Sequence, residues 1–179
     1  ISEAEAVSIM VVLVGAAGES TSSLTGSAAR ILAQDPDLQQ QLRQQPTLID
    51  AFIEEVVRLE SPFKGHYRVV KQATTLGNIT LPKQARVLLL WSAANRDPDH
   101  YAAAASVDLQ RERPRDHLGF GRGIHFCVGA RLARLETKIM LEELLRQTSG
   151  FQLMSDPVHL PSIFVRRLAQ LPLTVSGYA

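Results

Sequence analysis

The chain carries a single cysteine, Cys127, inside a run of glycines and aromatics: Phe120, Gly121, Arg122, Gly123, Ile124, His125, Phe126, Cys127, Val128 and Gly129. Glycine takes positive φ without strain and leaves room where a Cβ would stand. Gly121, Gly123 and Gly129 therefore allow a tight turn and a close approach of backbone to a flat ligand. Good helix formers begin directly after Cys127, which puts the thiol near a helix N-terminus, where the dipole and free N–H groups favour the thiolate. The thiolate is the form that binds iron, and Phe120 is placed to cover the sulfur. An isolated cysteine is more often a small buried hydrophobe; the surrounding glycines tip this one towards ligation.

The run resembles the cysteine loop of the cytochrome P450 family, Phe-Gly-x-Gly-x-His/Arg-x-Cys-x-Gly, at every fixed position. The resemblance implies a bound haem with Cys127 as its proximal iron ligand, donating electron density that favours O–O cleavage. Phe120 and Gly129 then belong to the haem-binding loop. Haem carboxylates are costly to bury unless paired, and family positions for that task fall on Arg68, His117 and His125. His66, His100 and His159 are left as ordinary hydrogen-bonding histidines.

A second segment, Ala16, Ala17, Gly18, Glu19, Ser20 and Thr21, resembles the family's Ala-Gly-x-Glu/Asp-Thr-Thr oxygen-activation motif. Glu19 matches the acid, Ser20 stands where the first Thr is usual, and Thr21 matches the second. A glycine beside hydroxyl residues within a helix lets the backbone open and hold water, and proton delivery to dioxygen needs such a relay. The blander reading is a small-residue packing site with an incidental Glu.

Glu55 and Arg58 stand at i and i+3, adjacent on one helix face. Such pairs are usually solvated and contribute little. Their place ahead of Ser61-Pro62 matches the family's Glu-x-x-Arg motif, where the pair is buried and structural. The usual third arm is an Arg in a Pro-x-Arg-Phe stretch. Counting from Asn95-Arg96-Asp97-Pro98, its place falls on Ser106, so the arm is expected to be absent, with Arg111 or Arg113 as substitutes.

The elements that must position these residues read as mainly α with a small β component, the C-terminal part of the P450 fold. Apolar residues at helical spacing predict a long helix over 2–34, which in the family crosses the distal haem face. Asp35-Pro36 opens a helix to Gln44, and Pro46 another through Glu60. Residues 67–90 turn β-rich around Gly77-Asn78, 95–118 read as loop, 128–147 as an amphipathic helix, and 151–175 as short strands. One haem-binding portion, 1–179, is expected, and a full-length member would have an N-terminal part ahead of it.

Nineteen Lys and Arg against 18 Asp and Glu leave a formal charge of +1, so bulk charge gives no pointer to nucleic acid or to a membrane surface. The apolar run 7–18 is shorter than the roughly 20 residues a bilayer span needs and predicts a buried helix. One cysteine permits no intrachain disulfide, which agrees with a cytoplasmic setting. Arginines 111, 113, 115, 122, 131 and 134 cluster around the loop. They either steer an acidic ferredoxin or flavodoxin-type donor, or pair with the haem carboxylates and line the junction of loop and helix. The resemblance implies a monooxygenase that inserts one atom of dioxygen into a small organic substrate. The alternative is a haem-binding or haem-free remnant that self-associates or binds a partner chain.

Overall fold

The computed structural model describes residues 1–178. Helix α1 spans Glu3–Gln34 and opens on a capping box, in which Ser2 Oγ accepts from the Glu5 N–H and the Glu5 carboxylate accepts from the Ser2 N–H. Asp35 caps α2, Pro36–Gln44, by accepting from the Leu38 N–H at 2.9 Å, with Pro36 in the first turn. The helix expected from Pro46 is two pieces: a 3₁₀ turn, Pro46–Leu48, and α3, Ile49–Glu60. Ser61, left-handed at φ 34°, ends α3 just ahead of Pro62.

Among the described residues, four small antiparallel sheets follow, each of two strands. β1, His66–Val69, pairs with β4, Arg86–Leu89, and β2, Thr74–Leu76, with β3, Ile79–Leu81, across the Gly77-Asn78 turn. A short helix, α4, Trp91–Ala94, precedes the loop. Helix α5, Ala130–Gln147, leads into β5, Thr148–Leu153, which pairs with β8, Leu173–Tyr178. Between these lie β6, Val158–His159, and β7, Leu168–Gln170. Helix α5 starts at Ala130 rather than Val128, because Gly129 occupies the N-cap position and the Cys127 carbonyl takes the Ala130 N–H.

The core joins Leu24, Ala28 and Leu32 of α1 to Phe52, Ile53 and Val56 of α3, and to Leu141 and Leu145 of α5. Only the C-terminal half of α1 takes part. The expectation of a buried helix over 7–18 does not hold in this chain: Val7, Met10, Val11, Val12 and Val14 are each more than half exposed, because no other described element packs there. By length and composition α1 also passes as a candidate membrane span, with mean hydropathy 1.5 over its most apolar 18 residues, although its C-terminal half lies in the protein core.

Residues 95–118 are irregular but pinned. Asn95 is fully buried: Nδ2 donates to Ser61 Oγ at 2.9 Å, and Oδ1 accepts from the Leu118 N–H at 2.7 Å. Tyr101 Oη donates to the Asp116 carbonyl at 2.8 Å. The loop is thereby fastened to the end of α3 and to the approach to the cysteine run.

Candidate functional site

The cysteine run closes on itself. The Cys127 N–H donates to the Phe120 carbonyl at 2.9 Å and the Phe126 N–H to the Gly123 carbonyl at 3.0 Å. Gly121 and Gly123 take φ of 70° and 72°, the left-handed values that make this reversal possible without strain. The loop tip is exposed from Arg122 to Val128, so Cys127 stands at the surface between exposed apolar side chains: Ile124 at 97%, Phe126 at 53% and Val128 at 87%. Gly129 leaves the sulfur clear; a Cβ there would sit 3.8 Å from Cys127 Sγ. Phe120 instead turns towards the core, under the Arg134 guanidinium, 4.4 Å from its ring centre, and 5.8 Å from the His117 ring.

Beneath the loop lies a carboxylate that the sequence reading passed over. Glu54, buried on α3, accepts from Arg134 Nε at 2.6 Å and Arg115 Nε at 3.3 Å, and lies 2.9 Å from His117 Nε2. Burial alone would raise its pKa, but the His117 and Arg134 hydrogen bonds and charges outweigh that and pull it down to about 2. The expected role of His117 is therefore corrected. Its ring is buried, Nε2 faces Glu54 and Nδ1 accepts from the Gly119 N–H at 3.2 Å, so neither nitrogen is open to a haem carboxylate.

The adjacent Glu55 holds a separate network. Arg58, fully buried, donates from Nε and Nη2 to its two carboxylate oxygens at 2.8 Å. Of the two arginines expected to stand in for the third arm, Arg111 does so: it donates from Nε to Glu55 Oε1 at 2.8 Å and from Nη2 to Oε2 at 3.1 Å. Ser106 contributes its carbonyl to Arg58 Nη2 at 2.8 Å. Burial would raise the Glu55 pKa, but these partners and the Asp108 N–H hold it below the usual carboxylate value.

On α1, Thr21 lines a cleft of about 620 Å³ against α5, with Ala17, Gly18, Glu136, Ile139 and Met140. Ser20 Oγ donates back to the Ala16 carbonyl at 2.6 Å, the local bond that serine makes within helices. Glu19 does not line this cleft and instead meets Arg167 at 3.1 Å.

Arg68 is exposed on β1 and donates to its neighbour's carbonyl, Tyr67 O, at 2.8 Å; His125 is exposed on the loop. Most of the arginine cluster is neutralised locally: Arg111 by Glu55, Arg115 and Arg134 by Glu54, and Arg122 by Asp116. Arg113 and Arg131 have no ion pair among the described residues. Arg131 and Lys138 border a cleft of about 490 Å³ between α3 and α5 that reaches Phe126 and Glu54.

These residues fit a metal held in a flat apolar ligand better than a bare ion. One thiolate alone cannot complete a coordination sphere, and the described residues contain no cluster of three His, Cys, Asp or Glu side chains that would do so. A macrocycle brings its own donors, needs a single axial sulfur, and would cover the exposed Ile124, Phe126 and Val128.

The comparisons with known proteins agree. The cytochrome P450 family profile matches residues 1–167. Cytochrome P450 144 of Mycobacterium tuberculosis is 52% identical over 167 residues, which is 93% of this chain and 38% of that protein. The crystal structure of CYP109E1 from Bacillus megaterium in complex with corticosterone superposes with a TM-score of 0.92 at 32% identity, covering 97% of this chain and 47% of that one. Cytochrome P450 CREJ gives 0.94 at 32% identity, over 99% and 45%. The chain belongs to the cytochrome P450 family, whose cofactor is haem, and its fold is a partial P450 fold. It spans less than half the length of these relatives.

Proposed function

We propose that this chain is the haem-binding part of a monooxygenase that transfers one atom of dioxygen to a small organic substrate. The observation that carries the reading is the exposed Cys127 on a closed glycine loop, framed by apolar side chains. Bound haem would supply the redox centre at which dioxygen is split, one atom going to substrate and one to water, with two electrons from a ferredoxin or flavodoxin-type donor. Cys127 Sγ would hold the haem iron, and Arg68 and His125 would hold the haem carboxylates. Thr21, facing the α1–α5 cleft, and Glu19 would hold and move protons, while Ser20 would have to release the Ala16 carbonyl to join them. A cytoplasmic location accords with the single cysteine and the bacterial relatives.

The test is a titration of haemin into the purified chain. Saturation of a Soret band at one haem per chain, weakened in Cys127→Ser, is expected; no saturable binding contradicts the reading. The exposed stripe Val7–Val14 favours a second reading, a remnant that self-associates or binds a partner chain without oxygenating anything. A haem-free chain that forms stable oligomers would select it.

A further inference from the structure

Glu19 lies two positions before Thr21 on α1, so at 3.6 residues per turn their side chains leave the helix about 200° apart. Thr21 faces α5, and Glu19 faces the C-terminal hairpin, where Arg167 Nη1 meets Glu19 Oε1 at 3.1 Å across 148 residues of sequence. The hairpin is held there without the Arg167 side chain. The Arg166 N–H donates to the Pro62 carbonyl at 2.8 Å, the Leu160 N–H donates to the Arg167 carbonyl at 2.9 Å, and the Arg166 guanidinium is 3.7 Å from the Glu60 carboxylate. Leu168 rests against α1 at Gly26, where an added Cβ would meet its Cδ1 at 3.7 Å.

The Glu19–Arg167 pair is nearly half exposed and single-contact, a geometry that contributes little to stability. Its consequence is positional. An unpaired surface Glu samples several rotamers, whereas acid–base work requires a fixed geometry. The contact engages one oxygen, and Oε2 has no hydrogen bond among the described residues, which leaves it open to water.

We propose that Arg167 is the positioning residue for Glu19, fixing that carboxylate at the solvent end of the relay, on the side of α1 away from Thr21. The proposal rests on the haem-thiolate reading above for the relay itself. Two measurements test it. In the chain labelled with ¹³C-glutamate, the Glu19 carboxyl signal, assigned by its loss in Glu19→Gln, should move in Arg167→Gln and return towards wild type in Arg167→Lys. In the haem-loaded chain, hydrogen peroxide is reduced to two waters by two electrons from a one-electron dye and two protons. There Arg167→Gln should lower kcat roughly threefold, the most that a half-exposed pair can bias the Glu19 rotamer, while KM for peroxide stays unchanged within error, with Arg167→Lys restoring most of the loss. Adding Arg167→Gln to Glu19→Gln should cost nothing further, whereas a merely structural arginine would lower kcat in that background too. An unmoved carboxyl signal, an unchanged kcat in Arg167→Gln or additive losses in the double variant would overturn the proposal. A wild-type chain without a thiolate signature in its reduced carbonyl spectrum would count against the haem reading instead, and the carboxyl signal would still decide whether Arg167 holds Glu19.

Discussion

Arg111 reaches Glu55 from 56 positions further along the chain, with Nε 2.8 Å from Oε1 and Nη2 3.1 Å from Oε2. Together with Arg58 it surrounds a carboxylate that has no exposed surface. The loop that precedes the cysteine run is thereby tied to α3, the helix on which the cysteine loop rests. Removing one member of such a buried set leaves the others charged and unpaired, at a cost of about 3–5 kcal/mol. Glu55→Ala, which strands two guanidiniums, should fall in that range. Arg111→Ala should cost less, because Arg58 still pairs with Glu55. Urea unfolding measures both; an unchanged midpoint in Glu55→Ala would show the network to be superfluous.

Glu54 gives the fold a pH dependence in acid. Its folded pKa of about 2 lies below the ordinary value of 4.5, so the unfolded chain binds the proton more tightly and stability falls as pH drops. The contribution is fully present above about pH 4.5 and is lost as pH approaches 2, amounting to about 3 kcal/mol. Glu54→Gln should flatten the stability profile measured by denaturation between about pH 2 and 4.5, the interval between the folded and unfolded values. An equally steep profile in that variant would contradict the assignment.

Gly119 is a packing requirement between loop and helix. A Cβ there would come within 2.4 Å of Val57 Cγ1 and 3.1 Å of the Val57 carbonyl. Gly119→Ala should destabilise the chain by about 1–3 kcal/mol, and Val57→Ala in the same molecule should recover part of that loss. Equal thermal stability of Gly119→Ala and wild type would mean the loop yields without cost.

The stripe of Val7, Met10, Val11 and Val14 should drive association of the isolated chain, since exposed apolar surface of this kind is removed from water by self-contact. Light scattering should show oligomers that dissociate on combining Val11→Lys with Val14→Glu. A monodisperse wild-type monomer would remove the basis for this expectation.

Helix positions were largely legible because their signals are local: apolar residues at helical spacing along α1, Asp35-Pro36, and Ser61-Pro62. The turn at Gly77-Asn78 was legible for the same reason. What failed depended on partners distant in sequence. Counting along the chain put the family's arm at Ser106 and left Arg111 and Arg113 as substitutes; only the folded loop selects between them, and Arg111 is the one that reaches Glu55. His117 was read with the cysteine run because it is adjacent in sequence, yet its ring turns to Glu54, 63 positions earlier. The arginine cluster looked unneutralised because two of its acids, Glu54 and Glu55, lie on α3. The local signal for Glu54 is its place directly before the Glu-x-x-Arg motif, which puts it on the same buried helix.

The central claim is that Cys127 offers a thiolate to haem iron. The most direct measurement is the absorption spectrum of the haem-loaded chain after reduction and exposure to carbon monoxide. The wild type should show the red-shifted Soret band of a thiolate-ligated ferrous carbonyl, and Cys127→Ser should lose it, because an alcohol is too weak an acid to supply a comparable anionic ligand. A wild-type chain that binds haem without that band, or a Cys127→Ser variant that keeps it, would contradict the account.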